Sequence, residues 1–184
     1  MVRLHTSYMV KILQVEIEEP ESFNNEREFE EFMTKVIDDV LSDLKKQGVV
    51  SNYYIFRELG FDIAVFLDKG GSPKVKFFEL KLYKGQRAGG VGFGNQRGEG
   101  PQVEVLLNDK ETLAFFNKFL RWIVCDALAM GERRYVFIDN IIAKECAMGE
   151  VRRGKQNNFN INKLRKHAIT WGELIQKIRE FLTQ

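Results

Sequence analysis

Hydrophobic positions along the chain follow two rhythms. Behind Asn25 they recur every three or four residues, at Phe29, Phe32, Val36, Ile37, Val40, Leu41 and Leu44, which predicts an amphipathic helix. Asn25 followed by Glu28 has the spacing of a capping box, and Gly48 stands where a helix end favours a left-handed residue. A second helical run is expected from Asp109 to Met130, through Phe115, Phe116, Phe119, Leu120, Ile123, Val124 and Leu128, ended by Gly131. A third follows the capping box of Thr170 and Glu173, with Leu174, Ile178 and Phe181 on its inner face and Trp171 buried at its start. Elsewhere the apolar residues come in short β-branched and aromatic runs. Tyr8 to Glu18, Val49 to Glu58, Phe61 to Leu67, Val75 to Tyr83, Gln102 to Leu107 and Arg134 to Asp139 therefore predict strands or extended segments. The polar stretch Asp68 to Pro73 suits a hairpin turn between the third and fourth of these. The core order is helix, three strands, helix, strand. It describes an α/β domain with a central mixed sheet flanked by helices, an N-terminal strand and C-terminal helical additions.

Charged residues inside the apolar runs change the picture. Asp62 is the only ionisable group between Phe61 and Leu67, and Glu79 and Lys81 stand in the next run. Burying an unpaired charge is strongly unfavourable, so these residues need partners or a task. Residues two apart in a strand share a face. Glu79 and Lys81 therefore project together, with Phe78 and Leu80 opposite, and a hairpin brings Asp62 beside them. Two carboxylates and an ammonium on one face suit magnesium-dependent hydrolysis of a phosphodiester. A buried ion-pair cluster without catalysis is the plainer alternative.

With 184 residues the chain is long enough for one domain with a sizeable core. We divide it as residues 1–184 in a single domain, a core at about 26–140 and a basic C-terminal extension at 141–184, with no internal repeat or linker. No apolar run approaches a membrane span, and the two cysteines, Cys125 and Cys146, form neither a metal-ligand pair nor a disulfide framework. A cytoplasmic setting is the expectation. Charge is distributed unevenly: residues 1–50 hold six basic against eleven acidic side chains, and residues 74–97 hold six against Glu79 alone. Cations thus gather around and after the Glu79 strand, as a polyanion-binding face or as ordinary solvated charge.

Gly60-Phe61-Asp62 and Glu79-Leu80-Lys81, placed on adjacent strands between two helices, resemble the PD-(D/E)XK nuclease superfamily. Restriction endonucleases, archaeal Holliday junction resolvases and RecB-type exonucleases belong to it. The resemblance covers roughly Glu28 to Asn140. Phe61 replaces the family's proline, and Gln102 is followed four residues on by Leu106 rather than tyrosine, which disfavours the RecB-like branch. The resemblance implies a restriction-endonuclease-like core and a Mg²⁺-dependent endonuclease acting on DNA, with Mn²⁺ able to substitute. Asp62, Glu79 and the Leu80 carbonyl would hold the metal, and Lys81 would hold or deprotonate the attacking water. Family members often add a carboxylate from the first helix. Glu28 is the candidate here, alongside its capping role.

Gln102 follows a glycine-rich stretch and is a further candidate for the site. Lys84, Arg87, Arg97, Arg152, Arg153 and Lys155, with Lys163, Arg165 and Lys166 beyond them, are candidate phosphate contacts, and Phe159 could stack on a base. His167 is expected against phosphate or solvent. Gly149 to Lys155 has P-loop spacing, but Gln156 takes the place of the required Ser or Thr. A homodimer with two sites for two strands is expected, as in small nucleases of this kind. A nucleic-acid-binding module lacking the chemistry, or a nuclease acting on RNA, are the alternatives.

Overall fold

In the computed structural model, residues 17–85, 89–93, 107–149 and 157–184 are described. The first strand expected from Tyr8 lies mostly outside them, as does most of the segment from Gln102; Ile17 and Glu18 are not in a strand.

Helix α1 (Glu26–Lys46) begins where its cap predicts, with the Asn25 side chain accepting the Glu28 N–H at 2.9 Å. The return half of the box is shifted by one residue, since Glu28 Oε2 accepts from the Asn24 N–H at 2.8 Å. The helix ends in a Schellman motif. Gly48 sits at φ 73°, its N–H donates to the Lys45 carbonyl at 3.0 Å, and the Val49 N–H donates to the Leu44 carbonyl at 2.9 Å.

Strands β1 (Asn52–Arg57), β2 (Ile63–Lys69) and β3 (Ser72–Tyr83) form an antiparallel meander. The turn between β2 and β3 is only Gly70-Gly71, at φ 60° and 86°. Two positive φ angles in a two-residue loop match the strands' twist, so pairing extends further into the polar segment than side-chain periodicity predicts.

Then follow β4 (Gly90–Phe93), α2 (Lys110–Phe119), β5 (Leu120–Asp126), β6 (Tyr135–Ile138), α3 (Asn140–Cys146), β7 (Asn157–Asn160), the short α4 (Ile161–Leu164), a 3₁₀ turn (Arg165–His167) and α5 (Trp171–Thr183). The main sheet has the order β1-β2-β3-β5-β6, with β3 and β5 parallel and the other neighbours antiparallel. Strands β4 and β7 pair separately.

The expectation of one long helix over Asp109 to Met130 is corrected. The helix stops at Phe119, and Leu120–Asp126 is an interior strand buried at every position. A strand covered on both faces reads as continuous apolar sequence, which periodicity alone cannot tell from a buried helix. The β-branched pair Ile123-Val124 favours the strand. Arg121 secures the changeover: its guanidinium donates to the carbonyls of Phe116, Asn117 and Leu120 at 3.1, 2.8 and 2.7 Å, satisfying groups that the ending helix leaves open.

One sheet face is covered by α1 and α5, with Phe78, Leu80, Met33, Ile37, Leu174 and Ile178 in a shared core. The other is covered by α2, α3, α4 and the β4–β7 pair around Trp122 and Phe159. The full capping box at Thr170–Glu173 forms as expected, and Trp171 is buried with its Nε1–H on the Ile17 carbonyl at 3.0 Å. Helix α5 is fastened to α1 by Arg179 on Asp43 at 2.6 Å, both nearly buried. Removing one partner of a buried pair leaves an uncompensated charge. Arg179→Met should therefore lower unfolding free energy by about 3 kcal/mol in urea denaturation; a change near zero would show that the pair does not join the helices.

Candidate active site

Strand β2 stops pairing with β3 at Ile63–Phe78, whereas β3 continues to Tyr83 beside β5. A notch opens between the start of β2 and the end of β3. Among the described residues the backbone groups of Leu80 and Leu82 face it without a strand partner. Carboxylates take the place of that strand: the Leu80 N–H donates to Asp62 Oδ2 at 2.6 Å, and the Leu82 N–H donates to Glu26 Oε2 at 3.3 Å. A strand residue's N–H and C=O project to the same side, so the Leu80 carbonyl also faces the notch.

Local structure delivers each group. Asp62 leaves a tight turn closed by the Glu58 N–H on the Asp62 carbonyl at 3.2 Å, with Glu58 and Gly60 at φ 59° and 74°. Positive φ is uncommon in a non-glycine residue, so the turn holds Glu58 under constraint. Phe61 stacks on Phe77 at 4.4 Å and anchors the turn to the sheet. Glu79 and Lys81 lie on the Phe77 face of β3, as their period predicts. Glu26 is in the first turn of α1 and pairs with Lys81 at 2.7 Å. Glu30, one turn further, pairs with Arg57 at 3.6 Å.

The electrostatics are those of crowded anions. Asp62 and Glu79 are half-buried and lie within hydrogen-bonding reach of each other. Burial, followed by the Asp62 charge, raises the Glu79 pKa far above the carboxylate range, and burial also raises Asp62. The Lys81 charge opposes both shifts and is outweighed. Glu30 is pushed up to about 7 by burial and then by Asp62 and Glu26. Near neutral pH the Asp62–Glu79 pair therefore retains a proton between its carboxyl groups.

The structure thus brings together Asp62, Glu79, Lys81 and the Leu80 backbone. It does not bring Glu28, whose carboxylate is used on Asn24; Glu26 and Glu30 occupy the side of α1 that meets the notch. Both were legible in principle. Following the buried positions Ile37 and Met33 back by three- and four-residue steps leads to Glu30 and Glu26. Lys84 is exposed at the rim and donates to the Asn24 carbonyl at 2.7 Å. Lys163 donates to the Glu145 carbonyl, and Arg165 pairs with Asp126 at 2.7 Å. The expectation for His167 is corrected, since its Nε2 lies 3.0 Å from Glu145. So is that for Phe159, a fully buried core residue unable to stack on a base. Gln102, Arg87, Arg97, Arg152, Arg153 and Lys155 lie outside the described residues.

Among the described residues no three His, Cys, Asp or Glu side chains converge to hold a metal ion. The donors at the notch are two carboxylates and a carbonyl, hard oxygen ligands of the kind magnesium takes while keeping several waters. The proton held between Asp62 and Glu79 marks where positive charge is wanted, so the donor set fits a divalent cation. No protein-family model, curated protein or solved structure matches the chain.

Groups with raised folded-state pKa values stabilise the fold fully below the ordinary carboxylate range, and that stability is lost as pH rises through the folded values. For Glu30 the window runs from 4.5 to about 7, and Glu79 extends it upward. Without divalent ions, melting temperature should fall from pH 5 to pH 8. Glu79→Gln cannot ionise and should flatten the fall, being more stable than wild type at pH 8 by about 1 kcal/mol, or about 2–4 °C. Parallel melting curves in chelator for the two proteins would contradict the shift.

Proposed function

We propose that the chain is a Mg²⁺-dependent nuclease that hydrolyses phosphodiester bonds of DNA, with a restriction-endonuclease-like core. The observation that carries this is the compressed Asp62–Glu79 pair at the open end of a sheet, with Lys81 two residues on. Apart from β4, which lies between β3 and α2 and pairs with β7 in the second sheet, the order α1-β1-β2-β3-α2-β5 supports it, because β5 supplies the strand that the family core needs after its second helix. Asp62, Glu79 and the Leu80 carbonyl would hold the ion, and Mn²⁺ meets the same donor preference.

The ion supplies polarisation of the scissile phosphate and a lowered pKa for water. The chain's own groups do the rest. Asp62 and Glu79 would hold the ion as carboxylates, their shared proton passing to solvent. Lys81, held by Glu26, places an ammonium beside the reacting phosphate, where it orients water and offsets the growing negative charge. Glu30, titrating near 7, is suited to take a proton from the attacking water. Lys84 at the rim contributes a contact to the phosphate backbone. Cutting both strands of a duplex calls for two sites, which fits the homodimer expected from the resemblance.

A specific observation favours a second reading, a nucleic-acid-binding module without catalysis. Lys81 is already paired with Glu26 and Asp62 with the Leu80 N–H, as in a self-satisfied cluster. Plasmid, branched and single-stranded DNA and RNA, assayed with Mg²⁺, Mn²⁺ or chelator, distinguish the two. The expected result is metal-dependent DNA cleavage, reduced about 100-fold or more by Glu79→Ala or Lys81→Ala. Equal cleavage by wild type and the double variant contradicts the proposal. Salt-sensitive binding without cleavage supports the module, and preferential RNA cleavage reassigns the substrate.

A further inference from the structure

The other end of β3 faces a different environment. Strand β5 begins at Leu120 opposite Phe77, so among the described residues the part of β3 before Phe77 has no strand neighbour on that side. Between this edge and the last turn of α2 lies a cleft of about 540 Å³, lined by Lys74, Lys76 and Lys118 with Phe66, Val75 and Phe119. It lies away from the carboxylate notch. Lys76 is directed to the α5 side, over the Phe181 ring at 4.3 Å, whereas Glu79 projects from the opposite face.

The cleft is strongly cationic. Lys69 and Arg121 adjoin the three lining lysines, and all four neighbours act on Lys76. Among the described residues none of these five cations lies within ion-pair distance of an Asp or Glu side chain. Where they hydrogen-bond, it is to main-chain oxygens: Lys69 to Thr183, Lys74 to Gln184, which also lines the cleft, Lys76 to Lys118, and Arg121 to the end of α2. Lys76 is nearly buried, 3% exposed, yet only one of its three ammonium donors has a hydrogen-bond acceptor among the described residues. A buried cation among like charges is costly unless an anion joins it. Burial and the surrounding cations push the Lys76 pKa down to about 8, which agrees with that picture.

We propose that this cleft is a ligand site for a phosphate monoester carried on an aromatic body: a free mononucleotide, or the phosphorylated end of a nucleic-acid strand. Its volume falls in the range of about 300–1,000 Å³ usual for small-ligand pockets. Lysine ammonium groups bind phosphate as point charges. Phe66, 40% exposed, and Phe119 present ring surface on which a base can stack. Lys118 is exposed at the mouth, and Lys76 lies deeper.

Calorimetric titration of AMP and adenosine into the intact chain tests the proposal. AMP should bind saturably and adenosine about tenfold more weakly or worse, since only AMP carries the charge. Lys118→Ala, on an exposed side chain, should weaken AMP about tenfold. Lys76→Met should raise the melting temperature of the free protein, by removing a buried cation, and abolish AMP binding. A 5′-phosphorylated oligonucleotide that displaces AMP identifies a strand end as the source, and failure to displace identifies the free nucleotide. AMP binding no tighter than adenosine, or unchanged in both variants, overturns the proposal.

Discussion

The candidate site depends on one event in the sheet, the parting of β2 from β3 beyond Ile63–Phe78. Had pairing continued, the Leu80 and Leu82 amides would have gone to another strand, leaving no place for side chains. Instead two carboxylates from separate elements, Asp62 and Glu26, receive those N–H groups. Buried backbone donors require partners, so the fold gains by keeping both carboxylates there. The turn at Glu58–Asp62, the Phe61–Phe77 stack and the first turn of α1 all serve to hold them in position.

The same event creates the electrostatic tension. Glu79 projects from β3 into the space that Asp62 already occupies, while Glu26 and Glu30 approach from α1. Lys81 and Arg57 offset only part of this charge. Among the described residues no other cation offsets the pair's charge, so it keeps a proton, and a divalent cation is the natural substitute. At the far end of β3 the geometry repeats with opposite sign. There β5 begins late, a cleft opens, and lysines gather instead of carboxylates. Among the described residues the sheet thus leaves one unpaired stretch at each end of its longest strand, one acidic and the other basic.

Much of the notch was legible in the chain. Period-two spacing put Glu79 and Lys81 on one face, and the isolated Asp62 in an apolar run pointed to the same place. Asn25, Gly48 and Thr170–Glu173 marked helix ends because caps are local chemistry. Glu26 and Glu30 were missed because four glutamates crowd the start of α1, and only the tilt of the helix against the sheet selects among them. Strand β5 was missed because its burial on both faces erases the alternation by which strands are recognised. Of the basic cleft only the excess of cations from Lys74 onward was legible; Lys76 and Lys118 meet through the parallel pairing of β3 with β5.

Asp62 and Glu79 hold a proton where a cation would sit. The most direct measurement is Mg²⁺ or Mn²⁺ binding near neutral pH by calorimetry in buffers of different ionisation enthalpy. Binding should be accompanied by release of about one proton or more, with both lost in the Asp62→Asn, Glu79→Gln double variant. Binding without proton release, or binding that survives that variant, would contradict it.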